Sequence, residues 1–132
     1  MVWDTSIWWV LLAAMAYFAV GSLWYSPVLF IKPWMKAQGI TGDGPRDGFV
    51  KALGLSFLLT VLLCVIEAYF VHVTKSHTTL NGAYLGAKLW LGFAATTALI
   101  NSLYEQRPLK LYVIDQGYHL IGMVVAGAIL VH

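Results

Sequence analysis

Four apolar runs, at about 5–25, 49–73, 81–104 and 109–131, dominate the chain, and each is long enough to cross a bilayer as a helix. About 20 helical residues, at roughly 1.5 Å each, cover the ~30 Å of hydrocarbon. The runs are continuously apolar rather than alternating, which favours helices over the strands of a membrane barrel. Short polar breaks separate them: Ser26-Pro27, the link Thr74 to Leu80, and the turn Glu105-Gln106-Arg107-Pro108. The longest break, 26–48, holds Gly39, Gly42, Gly44, Pro45 and Gly48. Of the 132 residues, 60% are hydrophobic and only 11% charged, against roughly 25% charged in ordinary soluble domains. That balance excludes a soluble domain, a disordered chain and a basic nucleic-acid binder. The single cysteine, Cys64, excludes an intrachain disulfide framework. The expectation is an all-α membrane protein: one integral domain over 1–132 built as a four-transmembrane-helix bundle. No length remains for a soluble catalytic domain.

The first run is read as a retained span rather than a signal peptide. It has no basic leading region, carries Asp4, and continues past a normal hydrophobic segment. Basic residues set the expected orientation. Lys32, Lys36, Arg46 and Lys51 flank the first connector, Arg107 and Lys110 flank the last turn, and Lys75 stands alone on the opposite side. Six against one predicts a cytoplasmic connector at 26–48 and both termini outside. Aromatic belts agree, with Trp3, Trp8, Trp9, Tyr69 and Tyr84 at the outer interface and Trp24, Tyr25, Trp34, Tyr104 and Tyr112 at the inner one. Segment 28–38 mixes Leu29, Phe30, Ile31, Trp34 and Met35 with Lys32 and Lys36. It reads as a short interfacial piece facing anionic headgroups, or as a loop dipping into the interface.

In such a chain the polar groups inside the spans carry the information. Ser56, Thr60, Cys64 and Glu67 form one stripe on the second span, and Lys88 lies at almost the same depth on the third. An unpaired charge there costs roughly 2.5–3.5 kcal/mol, so a Glu67–Lys88 pair is expected, either as a structural pin or as an ion or proton gate. Alternatively Lys88 extends outward and leaves Glu67 needing a proton or another donor. Asp115, Tyr118, His119, Gly122 and Ala126 share a stripe on the fourth span. Asp115 and His119 are one turn apart and able to meet, as helix glue or as a proton relay or ligand site. Asp115 lies toward the inner end, within range of Lys110, Lys51 or Asn101. Gly82 and Gly86 make a small-xxx-small pair, and Gly122 and Gly127 mark the fourth span for close packing.

His72, His77 and His132 are too scattered for a metal site. No phosphate loop, dinucleotide fingerprint or nucleophile elbow occurs, so no cofactor is expected and an enzyme is disfavoured. Glu67, Lys88, Asp115, His119, Tyr118 and Asn101 are the intramembrane functional candidates. They favour an oligomeric transporter or channel-like component, because four helices enclose too little space for a broad pore. The alternative is a binding or interaction protein holding a lipid or other apolar ligand in a groove lined by Tyr17, Trp24, Tyr25, Trp90 and Phe93. Expected partners are membrane lipids and further copies of the chain, with no nucleic acid.

Several segments together resemble a known family. Gly21-Ser22-Leu23-Trp24-Tyr25-Ser26-Pro27, followed by Phe30, Lys32, Trp34 and Met35, closes the first span. Gly82-Ala83-Tyr84-Leu85-Gly86 and Trp90-Leu91-Gly92-Phe93 open the third, Asn101, Tyr104 and Glu105 end it, and Gly117-Tyr118-His119-Leu120 lies in the fourth. The set is similar to the small membrane proteins of domain of unknown function 1761. That resemblance implies a compact four-helix protein of a bacterial inner, or plasma, membrane. It brings no activity, and it directs attention to the Trp24-Tyr25-Ser26-Pro27 corner and to Tyr118-His119.

Overall fold

A computed structural model of the chain describes residues 5–39 and 48–132. Trp3, Asp4, Gly42, Gly44, Pro45 and Arg46, used above for orientation and punctuation, lie outside the described residues. Helix α1 covers Ile7–Trp24. The Ser6 hydroxyl caps it by accepting from the Trp8 amide at 3.3 Å, satisfying one of the amides that a helix start leaves bare. After the Ser26-Pro27 corner the chain turns back, with the Phe30 amide donating to the Trp24 carbonyl at 3.0 Å. A short helix α2, Ile31–Gln38, follows and ends at Gly39 in the left-handed region (φ 75°). Pro33 falls in its first turn, where a missing amide proton costs no helical bond. Lys32 and Lys36 are exposed and Trp34 is half-buried, as an amphipathic interfacial helix requires. The loop alternative for this segment is not what forms.

Helix α3 spans Phe49–Val73. Inside it the Thr60 hydroxyl donates to the Ser56 carbonyl at 2.7 Å, which satisfies the hydroxyl within its own helix. The third span runs without a break from Thr79 to Glu105, capped by Thr78, whose hydroxyl accepts from the Asn81 amide at 3.1 Å. It is not one uniform α-helix. Helix α4, Thr79–Leu89, passes into a π-helical turn at Trp90–Ala95 and then into helix α5, Thr96–Glu105. The wider turn shifts hydrogen bonding from i→i+4 to i→i+5 and so resets which side chains of α5 face inward. Gln106, in the left-handed region (φ 56°), reverses the chain. Pro108 then opens helix α6, Leu109–Leu130.

Helix α6 is the central element, packed against α1, α3 and α4, with α2, the π-turn and α5 around its first half. The Thr5 hydroxyl donates to the Leu130 carbonyl at 3.4 Å, and the Thr79 hydroxyl lies 3.2 Å from His132 Nε2. The first and last described residues and the α3–α4 link therefore share one end of the bundle. Helix α2 and the α5–α6 turn occupy the other. Val10, Ala13, Ala14, Tyr17, Cys64, Ala68, Met123, Ala126 and Leu130 form the buried core. The opposite faces are apolar and exposed, as at Leu58, Leu59, Leu62, Leu91 and Phe93.

Small residues allow the closest approach. Gly82 and Gly86 of α4 lie directly against the backbone of α6 at Gly127 and Met123, and a Cβ at Gly82, Gly86 or Gly127 would collide with a carbonyl oxygen opposite. This edge also decides where Lys88 goes. At 100° per residue Lys88 lies about 200° around α4 from Gly86, so seating the glycines on α6 turns Lys88 to the exposed side.

Candidate functional site

Polar and aromatic groups of α1, α2 and α6 converge in the half of the bundle that holds α2. Tyr25, just past the end of α1, donates its hydroxyl proton to Asp115 Oδ1 at 2.6 Å. The Trp34 indole of α2 donates to the same oxygen at 3.0 Å. One turn further along α6, the Tyr17 hydroxyl lies 2.5 Å from His119 Nδ1. The hydroxyl donates when Nδ1 is bare and accepts when Nδ1 carries the proton. Tyr118 lies between these two bonds, its ring 5.7 Å from that of Tyr25, 5.3 Å from Tyr17 and 4.6 Å from His119. The Trp24 indole donates to the Ile114 carbonyl at 2.8 Å and packs against Phe30 at 4.8 Å.

Glycines on the facing helices make room for these rings. A Cβ on Gly122 would stand 2.6 Å from the Tyr17 ring, one on Gly117 2.9 Å from Trp24, and one on Gly21 2.9 Å from Tyr118. Each aromatic ring is thus seated in a gap of the opposite helix, and its polar tip is held at a fixed height in the span.

Asp115 and His119 do not meet. They share a face of α6, yet no hydrogen bond or ion pair joins them among the described residues. Asp115 binds Tyr25 and Trp34, while His119 binds Tyr17. Lys110 and Lys51 form no ion pair with Asp115 either. The expected Glu67–Lys88 pair is also absent, for the rotational reason given above. Glu67 is only 2% exposed, and neither carboxyl oxygen has a hydrogen-bond partner. Its Oε2 faces Gly127, at 2.8 Å from where a Cβ would be. Thr60, Cys64 and Glu67 are buried together as their spacing predicts, while Ser56 is exposed.

Asn101 takes part in a different feature, a half-open cleft of about 170 Å³ between α5 and α6. Its walls are Ala98, Asn101, Ser102, Glu105, Arg107, Tyr112, Asp115 and Gln116. The Tyr112 hydroxyl donates to the Ala95 carbonyl of the π-turn at 2.9 Å, and the Trp90 indole donates to the Gln116 carbonyl at 2.9 Å. These bonds fix the cleft's rear edge. The sequence reading missed Glu105, Tyr112 and Gln116 as a group, although Asn101 and Glu105, and Tyr112 and Gln116, are i,i+4 pairs on either side of one tight turn. The bond of Trp34 to Asp115, 81 positions away, leaves no local signal in the sequence.

The aromatic groove candidates do not line a common space. Tyr17, Trp24 and Tyr25 belong to the packed cluster, Trp90 bridges to Gln116, and Phe93 is 68% exposed on the outer face.

Four long apolar helices, an outward apolar surface and polar groups collected in the interior define an all-α integral membrane bundle. Within that class the chain belongs to the family described as protein of unknown function (DUF1761), whose model matches residues 8–131. No curated protein and no solved structure matches it.

Proposed function

We propose that the chain is a permeation component of the plasma membrane, working as a homo-oligomer and handling protons through the groups gathered along α6. The observation that carries this reading is the Tyr17–His119 contact, 2.5 Å long and held within the span between two helices. It is a protonatable pair that keeps its geometry in either tautomer. Tyr25–Asp115 repeats the arrangement one turn away, with Tyr118 packed between them. Glu67 extends the series toward the opposite end, in the same buried core as Tyr17. A broad water-filled pore is not needed for such a relay, because protons pass by exchange of hydrogen-bond partners. The subunit contact brings further copies of the column side by side. Conduction then runs along each column or at the seam between copies.

Reconstitution into liposomes carrying an internal pH dye tests this. Under an imposed potential the wild type should acidify vesicles faster than protein-free controls. Tyr17→Phe keeps the ring in its Gly122 seat and removes the hydroxyl, so flux should fall about tenfold or more, equivalent to ~1.4 kcal/mol on the limiting step. His119→Ala and Glu67→Gln should fall similarly. Flux no greater than in empty liposomes, or flux in all three variants equal to that of the wild type, overturns the reading.

A further inference from the structure

We propose that the cleft between α5 and α6 is a binding site for a small cation bearing N–H donors, meaning ammonium or a short protonated primary amine. It shares Asp115 with the proton column but does not depend on that column conducting.

The wall chemistry selects the ligand. Glu105 and Asp115 bring two carboxylates to the cleft and Arg107 one guanidinium, so the lining carries a formal charge of −1. Arg107 lies nearest Glu105, with Nε 3.9 Å from Oε2 on the exposed rim. Among the described residues Asp115 is bound by neutral groups, the Tyr25 hydroxyl and the Trp34 indole, both on Oδ1. A carboxylate at the end of a membrane bundle, bound among the described residues by neutral donors, favours a cation beside it. The other acceptors agree. The Gln116 amide oxygen is buried with no hydrogen-bond partner, a deficit that an N–H donor relieves. Asn101 adds a second amide to the cleft lining. Tyr112, tied by its hydroxyl to the Ala95 carbonyl, presents a fixed aromatic wall of the type that attracts ammonium groups.

Size and position narrow the class further. A space of about 170 Å³ takes a compact polar ion and excludes an acyl chain. The cleft lies beside the α5–α6 turn, at the bundle end that also carries α2 and hence at the headgroup level. A protonated amine reaches it as a free solute or as the headgroup of an aminophospholipid.

The test uses the full-length protein in phosphatidylcholine nanodiscs, titrated with methylammonium chloride against matched sodium chloride and followed by calorimetry and tryptophan emission. Saturable binding is expected for methylammonium. Tetramethylammonium, which has the charge but no N–H, should bind at least tenfold more weakly. Asp115→Asn retains an oxygen for Tyr25 and Trp34 and removes the charge, so affinity should drop at least tenfold. Asn101→Leu touches neither of those two bonds and should weaken binding several-fold, which covers the case where the Asp115 variant misfolds. Lys88→Gln, on the outer face of α4, should bind as wild type. Nanodiscs containing phosphatidylethanolamine identify the source. Competition with methylammonium assigns the amine to the lipid, lack of competition assigns it to a solute, and both uphold the site. No saturable binding, equal binding of tetramethylammonium, or unchanged affinity in both Asp115→Asn and Asn101→Leu overturns it. Since no gradient is imposed, loss of amine binding and loss of proton flux are read separately.

Discussion

A methyl group added at Gly82 or Gly127 would run into the backbone carbonyl of the other residue. Backbone cannot rotate aside as a side chain does, so α4 and α6 must separate. Gly82→Ala should therefore lose about 1–3 kcal/mol, the usual cost of overpacking. Gly54→Ala, which meets nothing within 4 Å, should hold or gain up to ~1 kcal/mol from helix propensity. Thermal melting in detergent compares the two, and equal melting temperatures would refute the close crossing. Glu67 presents the opposite case, a buried side chain that structure alone does not reward. Methionine fills similar volume without leaving polar atoms unpartnered, so Glu67→Met should raise stability by roughly 1–3 kcal/mol while proton flux falls. At this scale the sequence was informative about which polar groups enter the spans and uninformative about rotation and register. Glu67 lies against Gly127, opposite Gly82, whereas Lys88 stands six residues further along α4, about 9 Å at ~1.5 Å per residue. Their pairing failed because the Gly82/Gly86 edge claims the inward face of α4. The Gly82/Gly86 pattern itself was legible, but its partners Gly127 and Met123 depend on which helices meet.

Helix α2 shows how one short element depends on a single side chain. Its amphipathic pattern was readable from Trp34 set among Lys32 and Lys36, but its anchor lies 81 positions away at Asp115, where local periodicity has no reach. Trp34→Phe keeps an aromatic ring beside Tyr25 and removes the indole N–H. Losing a hydrogen bond to a carboxylate costs about 1.5–3 kcal/mol. Amide hydrogen exchange across Ile31–Gln38 should accelerate about tenfold or more, while exchange in α3 stays unchanged. Unaltered protection in α2 would show that the Asp115 bond does not hold it. The four spans were legible because length and continuous apolarity are local properties. The π-turn at Trp90–Ala95 was not, since one extra residue per turn leaves composition unchanged. Its consequence, the set of α5 side chains that face Asp115 and Gln116, was hidden for the same reason.

For the whole molecule, the described chain ends meet at one pole, through Thr5–Leu130 and Thr79–His132. Lys32 and Lys36 lie on α2, with Arg107 in the turn and Lys110 opening α6, at the other. The charge bias predicts that the cleft faces the cytoplasm. With buried Cys64 replaced by alanine, Lys75→Cys should label nearly completely with an impermeant maleimide on intact cells. Lys36→Cys should label only after permeabilisation, and the reverse pattern would invert the orientation. The crossing of α4 and α6 also has a mechanical meaning. Its fulcrum is the glycine contact at one pole, while the third span continues about 15 residues beyond Gly86 to Asn101, a lever arm of roughly 22 Å at ~1.5 Å per residue. A tilt of only about 5° about that fulcrum moves the far end by about 2 Å over that arm. By that geometry, a small tilt at the glycine contact displaces the pole that carries α2 far more than the pole where the chain ends meet.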